Sequence, residues 1–375
     1  MRICYILQSL NRIAPNTVII NLALNLVDKV EEIYVISLYK SKEDNFKQLL
    51  NANNIRFKEY DSQLDAFKDL SFLSILIQRF DILHLNQYKS NEIGNILHKY
   101  KTDLKVVSTC HSEEDCEAEA LSFVGNAKTA SIVRQREQQN FYKKHHRVFA
   151  VSRAVKEYLA RIDCLNVDVI YSGIDYARFP SFKNKLGSKS IEFCQVGHLM
   201  PLKNQIYSLE LIKFLKQKGL NVNLHFFGKD EYAEDYVRFL HSFISDNDLA
   251  NNVVFHGEVS WKTLFEALQK MHLLLMPSIT EGLPLALLEA FYFEVAAIVS
   301  KNGGMNEVVL EGVNGITVDV NNTHSEFERI LALCTSKRYL EQGKQAREIA
   351  LEKYTSHVMA QSYQAQYLRL LSDSN

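Results

Sequence analysis

A chain of 375 residues exceeds what one typical hydrophobic core organises and suits two domains of under about 200 residues each. Apolar residues make up 47% and charged residues 23%, which excludes global disorder. The balance of 43 Lys and Arg against 44 Asp and Glu argues against a dedicated nucleic-acid binder, which needs a basic excess.

The amino-terminal MRICYILQSL has too short an apolar run for a signal peptide and reads as a first strand. Nothing approaches the roughly eighteen uninterrupted apolar residues of a membrane span, so a cytoplasmic protein is expected. The cysteines at 4, 110, 116, 164, 194 and 334 form no Cys-x-x-Cys and no zinc spacing. They read as small buried apolar residues in a reducing compartment.

Strands are predicted at ICYIL (3–7), IYVISL (33–38), ILHL (82–85), KVVSTC (105–110), RVFAVS (147–152) and VDVIYS (167–172). Helical patterns such as TVIINLALNLV and LHKYK lie between them. Apolar runs that do not alternate, joined by helices, signal a parallel sheet covered on both faces. PSFKNKLGSKS (180–190) then interrupts the pattern with Pro, Gly, Ser and three lysines, and reads as a linker. The alternation restarts at IEFCQVG (191–197), VNLHFFG (222–228), NVVFHG (252–257), HLLLMPS (272–278) and AAIVS (296–300), and the tail from about 321 is helical. The expected architecture is α/β, two doubly wound parallel-sheet domains at 1–183 and 184–353, with 354–375 as a terminal helix.

Ligands of open parallel sheets bind beyond the carboxyl ends of the strands, so the residues following each strand carry the most information. After IEFCQV, Lys203 stands just before the helix opened by Asn204 and Gln205. A helix amino terminus favours negative charge, and an anion bound there would resolve the conflict; an exposed loop lysine is the plainer alternative. Gly228 and Gly257 end strands and would let a ligand approach the backbone, or simply make turns. In SITEGLPLALLEA (278–290), Pro284 suits a first helical position. The backbone N–H groups of Gly282, Leu283 and Leu285 would then form a cradle for an anion or hydroxyl. Glu289 falls in the second turn of a helix apolar nearly all round, where a buried carboxylate needs partners. It takes them from a ligand, from solvent or from a basic residue. Asn314-Gly315 reads as a hairpin-type turn, and KNGGMNEVV (301–309) as mainly architectural.

In this order, VGHLMPLKN, LHFFG, VVFHG, SITEGLPLALLEA, SKNGGMNEVV and GVNGITVD resemble the donor-binding half of retaining GT-B glycosyltransferases of family 4, the glycogen-synthase-like group 1. Glu281 and Glu289 match its E-x7-E motif. PNTVIINLALNL, DILHLN, STCHSE, FAVSRAVKEYL and VIYSGIDYARF extend the resemblance into the first half. It implies a nucleotide-diphosphate sugar donor, no metal cofactor, and a glycan or lipid-linked saccharide acceptor in a bacterial-type surface polysaccharide such as capsule or lipopolysaccharide. Glu289 would take the ribose hydroxyls, and Glu281 with the N–H groups of Gly282 to Leu285 the transferred sugar and distal phosphate. Lys203 would meet the diphosphate, His111 would face the donor sugar, and the final helix would cross back onto the first domain.

Two positions depart from the family pattern. His198 stands where an Arg is common, giving a weaker and pH-sensitive cation. The first loop, SLNRIAPNT, has no Gly-Gly pair; either its backbone lies farther from the phosphates, Arg12 substitutes, or this domain contributes less. A catalytically silent nucleotide-sugar-binding or scaffold protein of the same fold is therefore the alternative.

Three charged features remain. Asp246-Asn247-Asp248 has the Asp-x-Asp form of a metal motif but reads as a helix-ending turn. The acids of 112–120 would flank the acceptor side. The basic concentration at 134–161 would be solvated helix faces, or would give peripheral contact with anionic lipid at the inner face of the plasma membrane.

Overall fold

The computed structural model describes residues 1–97, 103–112, 141–182, 189–231 and 233–373. Of these, residues up to 112, 141–175 and 354–373 form one compact unit, and 176–353 within the described segments form the other. The acids at 113–120, the basic residues 134–140, Cys116, and the linker positions 183–188 lie outside the described residues.

The first unit holds strands β1 (Arg2–Leu7), β2 (Glu32–Ser37), β3 (Arg56–Glu59), β4 (Ile82–Asn86), β5 (Lys105–Cys110), β6 (Arg147–Ala150) and β7 (Val167–Val169). They pair in parallel in the order β3-β2-β1-β4-β5-β6-β7. The second unit holds β8 (Ile191–Val196), β9 (Val222–Phe227), β10 (Val253–Phe255), β11 (Leu273–Met276), β12 (Ala296–Ser300) and β13 (Gly315–Val318), in the order β10-β9-β8-β11-β12-β13. Each sheet runs outward one way from its first strand and then the other way. The winding therefore reverses beside β1 and β4 in the first unit, and beside β8 and β11 in the second. These are topological switch points, where open α/β sheets bind ligands.

Burial explains the apolar runs. Ile3 to Leu7 of β1 and Leu273 to Leu275 of β11 are all fully buried, because helices cover both faces of a central parallel strand. β3 is the exception: Arg56–Glu59 alternates exposed and half-buried residues at the sheet edge, and its charged RFKE gives no apolar signal. A second difference is at Asn314-Gly315. No hairpin forms there, because Gly315 opens β13, which pairs in parallel with β12. Asn314 is fully buried instead, accepting from the Leu310 N–H at 2.7 Å and donating to the Val308 carbonyl at 3.0 Å.

The helix Ser356–Ser372 belongs to the first unit. Tyr363 and Tyr367 meet the Phe149 ring at centroid distances of 4.9 and 6.1 Å. Cys4, Cys110, Cys164, Cys194 and Cys334 are free and buried. Part of the basic segment is paired locally, Lys143 with Asp163 at 3.2 Å and Arg147 with Asp168 at 3.4 Å. Among the described residues no helix is long and apolar enough to cross a membrane.

His84 of β4 couples this helix to the sheet. Its Nδ1 lies 2.5 Å from the Tyr367 hydroxyl and its Nε2 lies 2.7 Å from Thr109 Oγ1. Burial, reinforced by His111 and His145, lowers its pKa from 6.5 to about 3. A base with a depressed folded-state value contributes stability that is complete above about 6.5 and is lost as pH falls toward about 3. Lowering the pH from 7 to 5 is therefore expected to remove about 2 kcal/mol through His84 alone. Urea denaturation at the two pH values should show that His84→Gln, though less stable at pH 7, loses correspondingly less between them. An equal loss in both proteins would assign the pH dependence elsewhere.

Candidate functional site

At the second unit's switch point, the loops after β8 and β11 are sewn together by one main-chain bond and one asparagine side chain. Ile279 N–H donates to the Leu202 carbonyl at 2.9 Å, and Asn204 Nδ2 donates to the Pro277 carbonyl at 3.1 Å. Asn204 adopts a left-handed conformation (φ 53°, ψ 48°) between a short 3-10 turn, Pro201–Lys203, and the helix Gln205–Gln217. Asparagine tolerates that region better than most residues. From below, Gln195 Nε2 donates to the Lys203 carbonyl at 2.6 Å, and Ser208 Oγ donates to Gln195 Oε1 at 2.8 Å.

This scaffold brings two expected site residues into contact. The Lys203 ammonium donates to the Glu281 carboxylate, which also accepts from Ser278 Oγ at 3.0 Å. The side chains are 20% and 12% exposed, so the pair is shielded yet open on one side. The plain alternative, a lysine loose in solvent, does not hold.

Pro284 is the N-cap residue rather than the first helical position, and the helix runs Leu285–Tyr292. Gly282 and Leu283 are buried in the turn before it. The first-turn N–H groups of this helix, starting at Leu285, are the ones helix geometry leaves without intrahelical acceptors. Glu289 is only 3% exposed, so a reach to bulk solvent is excluded.

His198 is exposed at the β8 loop. Partial desolvation first, then Lys203 and Lys229, lower its pKa from 6.5, so it is a neutral donor or acceptor at pH 7 and becomes a cation only in acid. At Gly228, a Cβ would fall 2.0 Å from the Gly197 carbonyl oxygen. The glycine thus answers to close packing of two strand-end turns. Asp246 ends the helix Glu234–Asp246, with Asn247 as its C-cap donating to the Phe243 carbonyl at 2.7 Å.

The first unit places His111 directly after β5, its Nε2 2.6 Å from Asn86 Oδ1. Burial lowers its pKa to about 3, so the ring is neutral. The glycine-free loop needs no glycine, since none of residues 8–13 has a positive φ. Its turn is held instead by Asn16 Nδ2, which donates to the carbonyls of Ser9 and Asn11. The Arg12 backbone N–H donates to Glu43 at 3.2 Å. Ser278, Gln195, Asn86 and Asn16 are not singled out by the sequence, and Asn204 is marked there only as a helix start. Only Asn204, an asparagine directly before a helix, carried a local signal.

Residues 178–350 match the family described as Glycosyl transferases group 1, and residues 15–178 match Glycosyltransferase Family 4. The chain is 25% identical over 276 residues to the Escherichia coli UDP-Gal:alpha-D-GlcNAc-diphosphoundecaprenol alpha-1,3-galactosyltransferase, covering 69% of this chain and 68% of that protein. It is 30% identical over 182 residues to the O-antigen chain mannosyltransferase RfbU of Salmonella typhimurium, 46% of this chain and 47% of the relative. Anabaena Alr3699/HepE, solved in complex with UDP-glucose, superimposes with a TM-score of 0.77 at 19% identity, over the full length of both chains.

Gly303 supports the Glu281 loop from β12. Its φ is +73°, a Cβ would lie 2.2 Å from the Glu281 carbonyl oxygen, and Gly304 N–H donates to that oxygen at 2.8 Å. Gly312 has nearly the same φ, +74°, with nothing within 4 Å. Gly312→Ala is therefore expected to cost about 1 kcal/mol of backbone strain. Gly303→Ala should cost roughly 1–3 kcal/mol more from overlap. Thermal melts that placed the two variants at the same Tm would show that the contact at Glu281 carries no such constraint.

Proposed function

We propose, because this chain belongs to the group 1, family 4 glycosyltransferases of GT-B fold, that it is a retaining enzyme transferring a sugar from a nucleoside-diphosphate sugar to a glycan or lipid-linked saccharide acceptor in surface polysaccharide assembly. The observation that carries this reading is the Lys203–Glu281 pair at the switch point, beside the first turn of Leu285–Tyr292. A uridine nucleotide is the first donor to try, since the galactosyltransferase relative takes UDP-Gal and the solved neighbour holds UDP-glucose. The diphospholipid-linked substrate of that relative favours a lipid-linked acceptor, reached from the inner face of the membrane.

The chemistry breaks the bond from the anomeric carbon to the distal phosphate oxygen and forms one to an acceptor hydroxyl oxygen on the same face, with the hydroxyl proton passing to the departing diphosphate. Negative charge grows on the departing diphosphate. An ammonium has three donors, so Lys203 can keep Glu281 and still meet phosphate oxygens with the other two. The N–H groups from Gly282 to Leu285 add preorganised positive potential. Glu281, held by Lys203 and Ser278, takes sugar hydroxyls, and Glu289 takes the ribose. In the first unit, His111 meets the sugar and Arg12 a phosphate. His198 supplies a neutral contact at pH 7, and the fixed charge at this site comes from protein side chains rather than a metal.

Calorimetry with UDP tests the ribose assignment. Hydrogen bonds to a charged group are worth about 1.5–3 kcal/mol, so Glu289→Ala is expected to weaken binding roughly tenfold to hundredfold. Unchanged affinity would remove Glu289 from the site. A separate assay follows UDP-glucose and UDP-galactose turnover in the presence of a chelator. Turnover should persist in the wild type and fall about a hundredfold in Lys203→Ala. Loss of wild-type turnover on chelation would end the metal-independent reading.

A further inference from the structure

The carboxyl ends of β1, β4 and β5 carry a chain of buried amides that ends on His111. Asn86, the last residue of β4, and Asn16, in the first turn of the helix Ala14–Leu26, are both fully buried. His111 Nε2 stands 2.6 Å from Asn86 Oδ1, and Asn86 Nδ2 donates to Asn16 Oδ1 at 3.5 Å. Asn16 Nδ2 in turn donates to the Ser9 carbonyl at 2.8 Å and the Asn11 carbonyl at 2.9 Å.

The direction of every bond in this chain follows from its far end. A backbone carbonyl has no proton to give, so the Asn16 group facing Ser9 and Asn11 must be its NH2. That turns Asn16 Oδ1 toward Asn86. Because Oδ1 only accepts, Asn86 must present its own NH2 there and its Oδ1 to His111. The His111 proton must then lie on Nε2, which in a neutral imidazole leaves the lone pair on Nδ1. Two carbonyls in the loop after β1 thus set a histidine tautomer about a hundred positions away in the chain.

We propose that Asn16 and Asn86 are positioning residues that fix His111 as its Nε2–H tautomer, so that Nδ1 accepts a hydrogen bond from a hydroxyl of the transferred sugar. The proposal rests on the reading of His111 as a sugar contact. It sharpens that reading by chemical class: a ring presenting only a lone pair selects a hydroxyl and cannot donate to a phosphate or carbonyl oxygen. It also gives the glycine-free first loop a role, since its carbonyls are the reference from which the relay takes its direction.

Selective 15N-histidine labelling with two-bond 15N–1H correlation of the imidazoles reads the tautomer directly, His111 being assigned by the signal missing from His111→Gln. The wild type is expected to show neutral His111 protonated at Nε2. In Asn16→Ala the Asn86 amide is released to turn, and the His111 signals should move to a mixture of tautomers. Asn86→Asp, which offers an acceptor whichever way it faces, should keep Nε2 protonated. A wild-type His111 protonated at Nδ1 overturns the relay, and that measurement requires no variant to fold. So does a folded Asn16→Ala in which the Nε2–H form stays fully populated. Turnover of UDP-glucose or UDP-galactose tests the underlying reading separately. It should fall at least tenfold in His111→Gln, and an unchanged rate overturns the hydroxyl contact whatever the tautomer signals show.

Discussion

Where Gly303 meets Glu281, two backbones approach so closely that a Cβ would lie 2.2 Å from a carbonyl oxygen. That contact, with the Gly304 N–H bond to the same oxygen, fixes the turn between β11 and the helix Leu285–Tyr292 from its β12 side. On the opposite side the turn is tied to the β8 loop by Ile279 to Leu202 and Asn204 to Pro277. The main chain from Pro277 to Glu281 is therefore clamped without help from the Lys203 and Glu281 charges. The position of the Glu281 carboxylate follows from it, as does the direction in which the next helix presents its first N–H groups. Uncharged clamps of this kind suit a binding site because they do not rely on the charges that a ligand will rearrange.

The Lys203–Glu281 pair sits within that frame. Removing two charges from water costs several kcal/mol per ion, and attraction recovers this only with good geometry and further hydrogen bonds. Ser278 supplies one of those bonds to Glu281, and the residual exposure of both side chains moderates the penalty. The pair is close to neutral as a unit, so on the proposed reading a diphosphate would meet a lysine already oriented rather than one that must be ordered from solvent. A helix terminus contributes about 0.3–1 kcal/mol to an anion in ordinary geometry, whereas a charge-assisted hydrogen bond is worth about 1.5–3 kcal/mol. The lysine is accordingly the dominant electrostatic element and the helix start the secondary one. His198, neutral at pH 7 because its pKa is lowered, adds little charge of its own.

Much of this was legible in the sequence because buried parallel strands leave an apolar signature and ligand sites follow their ends. β1, β8 and β11 were readable from composition alone. β3 was not, because an edge strand with alternating exposed residues, RFKE, has no such signature. Asn314-Gly315 misled for a different reason: the dipeptide favours a tight turn, but tertiary burial of the Asn314 side chain and pairing of Gly315 to β12 override the local preference. Lys203 and Glu281 could each be marked as candidates, yet their contact spans 78 positions and depends on β8 and β11 being neighbours. Asn16 and Asn86 were invisible for the same reason, since an asparagine acquires meaning only once the strand order places another polar group against it.

The two units share a strand order but solve the same position differently. Beside β8 and β11 the second unit sets an ion pair, and beside β1 and β4 the first sets a run of neutral amides ending on a neutral imidazole. The difference follows from what each arrangement can stabilise. On the proposed reading, charge that develops on a leaving diphosphate calls for a cation fixed in place, which a lysine anchored to a carboxylate would provide. A sugar hydroxyl presents a dipole rather than a charge. The group that meets it must have its donor and acceptor sides assigned in advance, because a freely exchanging tautomer would offer the wrong side part of the time. Burial makes that assignment firm in the first unit. Protonating His111 is unfavourable in that environment, and turning either asparagine over would set a carbonyl oxygen against another oxygen or strand a buried amide. The loop after β1 can dispense with glycine for a related reason: its turn is held by Asn16 and the carbonyls that Asn16 bonds, not by a backbone in a positive-φ conformation.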